Sequence, residues 1–175
     1  MVETRVRRAR LSDAQAIAAF VNASRANSPT EPSQWYPRLA VTASDVADRF
    51  SQVGFMIAEI EQDIVGLLGW QIEDFVVRVT DFLLRSVADP ISIGKLLIAR
   101  MEAEAVDLQA EAVILFLPPD PSPNLVTYWE RLGYAFEHLA ALPQPWREAV
   151  VERGRHATHD VLVKRLRETY TQHPL

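Results

Sequence analysis

Residues 88–105, ADPISIGKLLIARMEAEA, are the strongest single constraint on the architecture of this chain. An apolar stripe at Ile93, Leu96, Leu97 and Met101 marks a helix, and it is flanked by two β-rich runs, FVVRVTDFLL (75–84) and AVILFLP (112–118). A strand, a long helix and a second strand that is apolar almost throughout predict a crossover in which both strands are parallel neighbours in one sheet. The turn into the helix, Asp89-Pro90-Ile91-Ser92-Ile93-Gly94, has two readings on chemistry alone. Asp as N-cap with Pro at the first helical position is an ordinary helix start, whereas backbone N–H groups at a helix N-terminus also attract phosphate.

The remaining segments extend the sheet. TRVRRAR (4–10) reads as a first strand, and Ser12 is expected to cap a helix with its apolar stripe at Ala16, Ile17, Phe20 and Val21. ANSPTEPSQWYP (26–37), which holds Trp35 and Tyr36, reads as a long loop before a second helix, TASDVADRFSQ (42–52). GFMIAEI (54–60), DIVGLLGWQI (63–72) and FVVRVTDFLL then form an antiparallel meander. Beyond AVILFLP, the reading is a helix in PNLVTYWERLG with Gly133 at its C-terminal cap, a strand in YAFEHL and a last strand in VLVKRL; PQPWREAVVERG reads as a helical local insertion. The expected fold is α/β (α+β), a mixed sheet of about seven strands flanked by helices, in one domain over residues 1–175.

Composition narrows the classes. With 175 residues, 49% of them hydrophobic, the chain can bury a full core without staples. The absence of cysteine removes thiolate nucleophiles and disulfide frameworks, and points to the cytoplasm. No run reaches the roughly 18 apolar residues of a membrane span, so no membrane partner is expected. A net charge of -5 is the wrong sign for a nucleic-acid binder, and RVRRAR reads as a solvated strand edge. The four histidines, at 138, 156, 159 and 173, lack partners at ligand spacing, so no metal is expected.

The order of elements, with AEIEQDIVGLLGW, FLLRSVADPISIGKLLIARME and YWERLGYAF, resembles the GNAT superfamily of N-acetyltransferases over nearly the whole chain. The resemblance implies splayed fourth and fifth strands with acetyl-CoA in the opening, its pyrophosphate on the first turn of the long helix. In the family's Gln/Arg-x-x-Gly-x-Gly/Ala loop, Asp89 takes the first position, Ser92 the first glycine's and Gly94 the second's. The co-substrate residues implied are Phe82, Leu84, Ser92, Ile93, Gly94, Lys95 and Trp129. Asp89 and Pro90 are adverse, the first by charge and the second by its missing N–H.

Acetyl transfer needs a neutral amine and an acid for the departing thiolate. The family's tyrosine register holds Trp129, whose indole is no acid at neutral pH. Tyr128 is left as the catalytic candidate, although one helical residue turns a side chain by about 100°. By alternation, Arg78, Thr80, Phe82 and Leu84 share the co-substrate face of the fourth strand, while Asp81 and Glu73 point away, which leaves no base. Arg78 and Thr80 are read as a pocket for an anionic group, with Trp35, Tyr36 and Trp70 as walls. The function expected is acetyl-CoA-dependent N-acetylation of an amine on a small molecule or peptide, with a second copy in a homodimer as a candidate partner. The alternative is a non-catalytic GNAT-like interaction domain with a degraded acetyl-CoA site.

Overall fold

The computed structural model describes residues 3–27, 40–85, 89–117, 121–151 and 160–167. Seven strands form one mixed sheet in the order β1-β2-β3-β4-β5-β7-β6: β1 is Arg5–Arg8, β2 Gly54–Ile60, β3 Asp63–Glu73, β4 Val76–Leu84, β5 Ala112–Phe116, β6 Ala135–His138 and β7 Asp160–Arg165. The helices are α1 (Ala14–Asn27), α2 (Ala43–Arg49), α3 (Pro90–Asp107), α4 (Pro123–Glu130) and α5 (Gln144–Val151). β4 and β5 are parallel, with Val76–Val79 in register with Ala112–Leu115, as the strand, helix, strand pattern requires.

The chain divides into two compact units, residues 1–71 with 80–101, and residues 72–79 with 102–175. In the first, β1 and β3 flank β2 antiparallel. Ala14, Ile17, Ala18 and Val21 of α1 repeat at helical spacing and bury against Val46, Phe55, Ile57 and Leu67. Each fully buried aliphatic chain here contributes about 1.5–3 kcal/mol. α1 does not start on Ser12. A short 3-10 turn, Leu11–Asp13, precedes it, and the Asp13 carboxylate accepts the Arg10 N–H at 2.7 Å. Arg7 fixes that carboxylate, donating to Asp13 and Glu59 at 2.8 and 2.7 Å, so this arginine of the basic first strand is paired with two carboxylates. α2 starts with a reciprocal cap between Thr42 and Asp45, at 3.2 and 2.8 Å.

In the second unit β7 lies between β5 and β6, antiparallel to both. Its core joins Val76, Ala112, Ile114, Val161 and Val163 to Trp146, Ala149 and Val150 of α5. Within the segment read as a local insertion, α5 packs into this core: Trp146 is 1% exposed, and its indole donates to Glu111 at 2.9 Å. Along α3 the buried stripe is Ile93, Leu97, Ile98, Met101 and Ala105; Leu96, one step off it, is 47% exposed.

Candidate active site

The first turn of α3 carries an internal cap. The Asp89 carboxylate accepts the Ser92 N–H at 3.0 Å, and the Asp89 carbonyl accepts the Ile93 N–H at 3.3 Å. The Ser92 hydroxyl and N–H, with Lys95 nearby, hold the Asp89 carboxyl below its ordinary value. Pro90 carries no N–H. This is a helix that caps itself, with the Asp89 carboxylate on the Ser92 N–H. Ser92 and Lys95 are exposed, while Ile93 and Gly94 are buried. Ile93 and Leu84 meet at Gly66: a Cβ there would lie 3.1 Å from Ile93 Cγ2, 3.2 Å from Leu84 Cδ2 and 2.8 Å from Leu97 Cδ1. Two of the implied co-substrate residues thus come together by packing over a glycine, and Phe82 is half-buried.

At Thr80 the strict alternation along β4 fails. The Thr80 hydroxyl donates to Asp81 Oδ2 at 2.7 Å, and a Cβ on Gly69 would collide with both side chains, at Asp81 Oδ2 and Thr80 Oγ1. Two consecutive β4 side chains crowd one β3 residue, as at a β-bulge. Thr80 therefore turns its hydroxyl to the Asp81 side, a departure from the face shared with Phe82 and Leu84. Asp81 is buried, and Arg49 from the end of α2 grips it with both terminal nitrogens, at 2.6 and 3.2 Å, while stacking on Phe55. Arg78 lies buried, 7% exposed, and is engaged within the protein.

Trp70 is 3% exposed and pairs across the strands with Gly54; a Cβ at Gly54 would lie 2.8 Å from its Cε2 and 3.0 Å from its Nε1. Trp35 and Tyr36 lie outside the described residues.

α4 begins on Ser122, whose hydroxyl accepts the Leu125 N–H at 3.3 Å, with Pro123 in its first turn. It runs as regular α-helix through Tyr128 and Trp129, and Gly133 supplies the left-handed φ of +89° that reverses the chain after it. Trp129 is 1% exposed and packs edge-on against Tyr134, with centroids 4.9 Å apart. The Tyr134 hydroxyl donates to Glu102 at 2.8 Å, and Lys164 bridges Glu102 and the Leu132 carbonyl at 2.8 and 3.0 Å. Burial and Glu102 drive the Tyr134 pKa far up. Tyr128 is half-buried, and desolvation pushes its hydroxyl up to about 12.

Sequence reasoning missed Arg49, Glu102 and Lys164 as partners, and Gly54 and Gly69 as the positions that make room. The glycines inside β-rich runs were the available signal, since a glycine in a strand marks close approach.

No family model matches the sequence, and no curated protein matches it either. Solved structures do. A GNAT-family acetyltransferase from Staphylococcus aureus Mu50 superposes with a TM-score of 0.69 at 12% identity, over 94% of this chain and 100% of that one. N-acetylglutamate synthase from Neisseria gonorrhoeae, solved with coenzyme A and N-acetyl-glutamate, gives 0.67 at 18% identity over 95% of this chain, which spans only 36% of the synthase chain. PaiA N-acetyltransferase from Thermoplasma acidophilum, in complex with coenzyme A, gives 0.61 at 12% identity over 93% of this chain and 99% of that one. With the parallel β4–β5 pair and the seven-stranded mixed sheet, these matches establish that the chain has the GNAT acetyltransferase fold.

Proposed function

We propose that this protein is an acetyl-CoA-dependent N-acetyltransferase acting on an amine of a small molecule or peptide, in the cytoplasm. The observation that carries the reading is the likeness of nearly the whole chain to acetyltransferases, two of them solved with coenzyme A. Acetyl-CoA supplies the acyl thioester; the amine, once neutral, attacks its carbonyl, the C–S bond breaks, and the amine proton and the thiolate are balanced as amide and free thiol.

The residues fit this co-substrate in part. Phe82 and Leu84 offer an apolar strip on β4, Gly94 permits close backbone approach, and the exposed Lys95 offers charge to a phosphate. Asp89 and Pro90 oppose it, so phosphate contact requires the Ser92 N–H to exchange its own carboxylate for the ligand. Tyr128 is the candidate donor to the departing sulfur. With its proton held to about 12, above a thiol's ordinary value near 8.5, it serves as a hydrogen-bond donor to sulfur rather than as a full acid. Trp129, wholly buried against Tyr134, supports that helix from beneath. Trp70 is the residue proposed for the acceptor side.

The Asp89–Ser92 bond favours a second reading, a GNAT-like interaction domain that kept the scaffold and lost the phosphate cradle. Isothermal titration with acetyl-CoA and free CoA separates the two. Saturable binding below about 100 μM, a free energy of about -5.5 kcal/mol, is expected of the enzyme. The absence of binding at millimolar ligand selects the interaction domain.

A further inference from the structure

The Trp70 indole is 3% exposed, yet its Nε1 has no hydrogen-bond partner among the described residues. Buried donors are almost always satisfied, and one that is not calls for a ligand or a function. Its Cε2–Nε1 edge lies over Gly54, where any side chain would collide with it. The β2–β3 register runs unbroken from Ala58↔Gly66 to Gly54↔Trp70, which puts Gly66 and Trp70 on one face of β3. Ile93, in the first turn of α3, sits at Gly66. Four residues of strand, about 13 Å, separate that point from Trp70. This is comparable with the reach of an extended pantetheine arm from its phosphate end to its sulfur.

We propose that Trp70 is a specificity-determining residue whose indole N–H takes an oxygen of the acceptor, the carboxylate or amide carbonyl beside the reacting amine, so that the acceptor is an amino acid or a peptide N-terminus rather than a simple alkylamine. The inference rests on the acetyltransferase reading above. An acceptor lacking that oxygen leaves the N–H buried and unmatched, which is the kind of mismatch that discriminates strongly between substrates.

The test compares acetyl transfer to matched pairs, L-phenylalanine with phenethylamine, L-leucine with isoamylamine and L-alaninamide with ethylamine, in the full-length protein and in Trp70→Phe. The expected result is a preference for the oxygen-bearing member in the wild type and, in the variant, a loss of about tenfold or more in kcat/KM confined to that member. Equal losses on both members, no loss, or a wild type that prefers the plain amines would overturn the proposal. Should Trp70→Phe not fold, the indole N–H resonance of the wild type is followed with CoA plus N-acetyl-L-phenylalanine and with CoA plus N-phenethylacetamide. A downfield shift with the first alone supports the proposal, and identical spectra overturn it. Failure of the wild type to bind acetyl-CoA at all would sink the underlying activity instead, which the titration shows separately.

Discussion

Asp89 and Tyr128 show how a single residue sets what a shared scaffold can do. Asp89 itself accepts the Ser92 N–H, the donor that the proposed function would give to a phosphate. Replacing Asp89 by Arg together with Pro90 by Gly restores both the charge and the missing donor. The dissociation constant for CoA is then expected to fall about tenfold, measured by titration calorimetry on a variant whose thermal unfolding shows it folded. The cap has its own pH signature. The Asp89 carboxyl is held below its ordinary 3.8, so the cap is intact above that pH and is lost as the pH falls through the lower value. Tyr128 behaves in the opposite sense. Its hydroxyl is raised from 10.0 to about 12, so the stability linked to it is complete below pH 10 and drains away as the pH climbs toward 12. Alkaline unfolding followed by circular dichroism should show the wild type losing ground to Tyr128→Phe across that interval, with one phenolate absorbance step near pH 12 missing in the variant.

At the scale of elements, the sequence was legible wherever periodicity alone decides. The meander, the α3 crossover and the two C-terminal strands follow from period-2 and helical spacing, and the β2 reading coincides with Gly54–Ile60. What stayed hidden depends on partners remote in sequence. Asp81 was read as pointing away from the site, but nothing in TDFLL reveals that Arg49 clamps it, that Thr80 leans with it, or that Gly69 is bare so that both fit. The same holds for PQPWREAVV, whose Trp146 is core because Glu111 accepts its N–H. Two substitutions measure this hidden layer. Arg49→Ala strands a buried carboxylate and should cost about 3–5 kcal/mol. Gly69→Ala drives a methyl group into Asp81 and should cost about 1–3 kcal/mol, each read from urea unfolding.

Across the whole molecule, the antiparallel hairpins of the meander close in two residues, and none of those four residues is glycine. Glu61 and Gln62 take φ of 51° and 76°, and Asp74 and Phe75 take 45° and 64°. Such turns favour Asn-Gly because side chains resist positive φ. These hairpins therefore do not close on local preference; Ile60↔Asp63 is held by the β2–β3 ladder, and the Phe75 carbonyl is held by the Glu111 N–H at 2.7 Å, from beyond α3. The kinetic consequence is a chain that must bring distant segments together before its turns are secure, and such chains cross a high entropic barrier. Replacing Glu61-Gln62 by Asn-Gly should raise stability by about 1 kcal/mol. Stopped-flow refolding would show where that gain falls: a faster folding limb means that the first hairpin belongs to the nucleus, and slower unfolding alone means that it closes last, after the sheet has assembled around it.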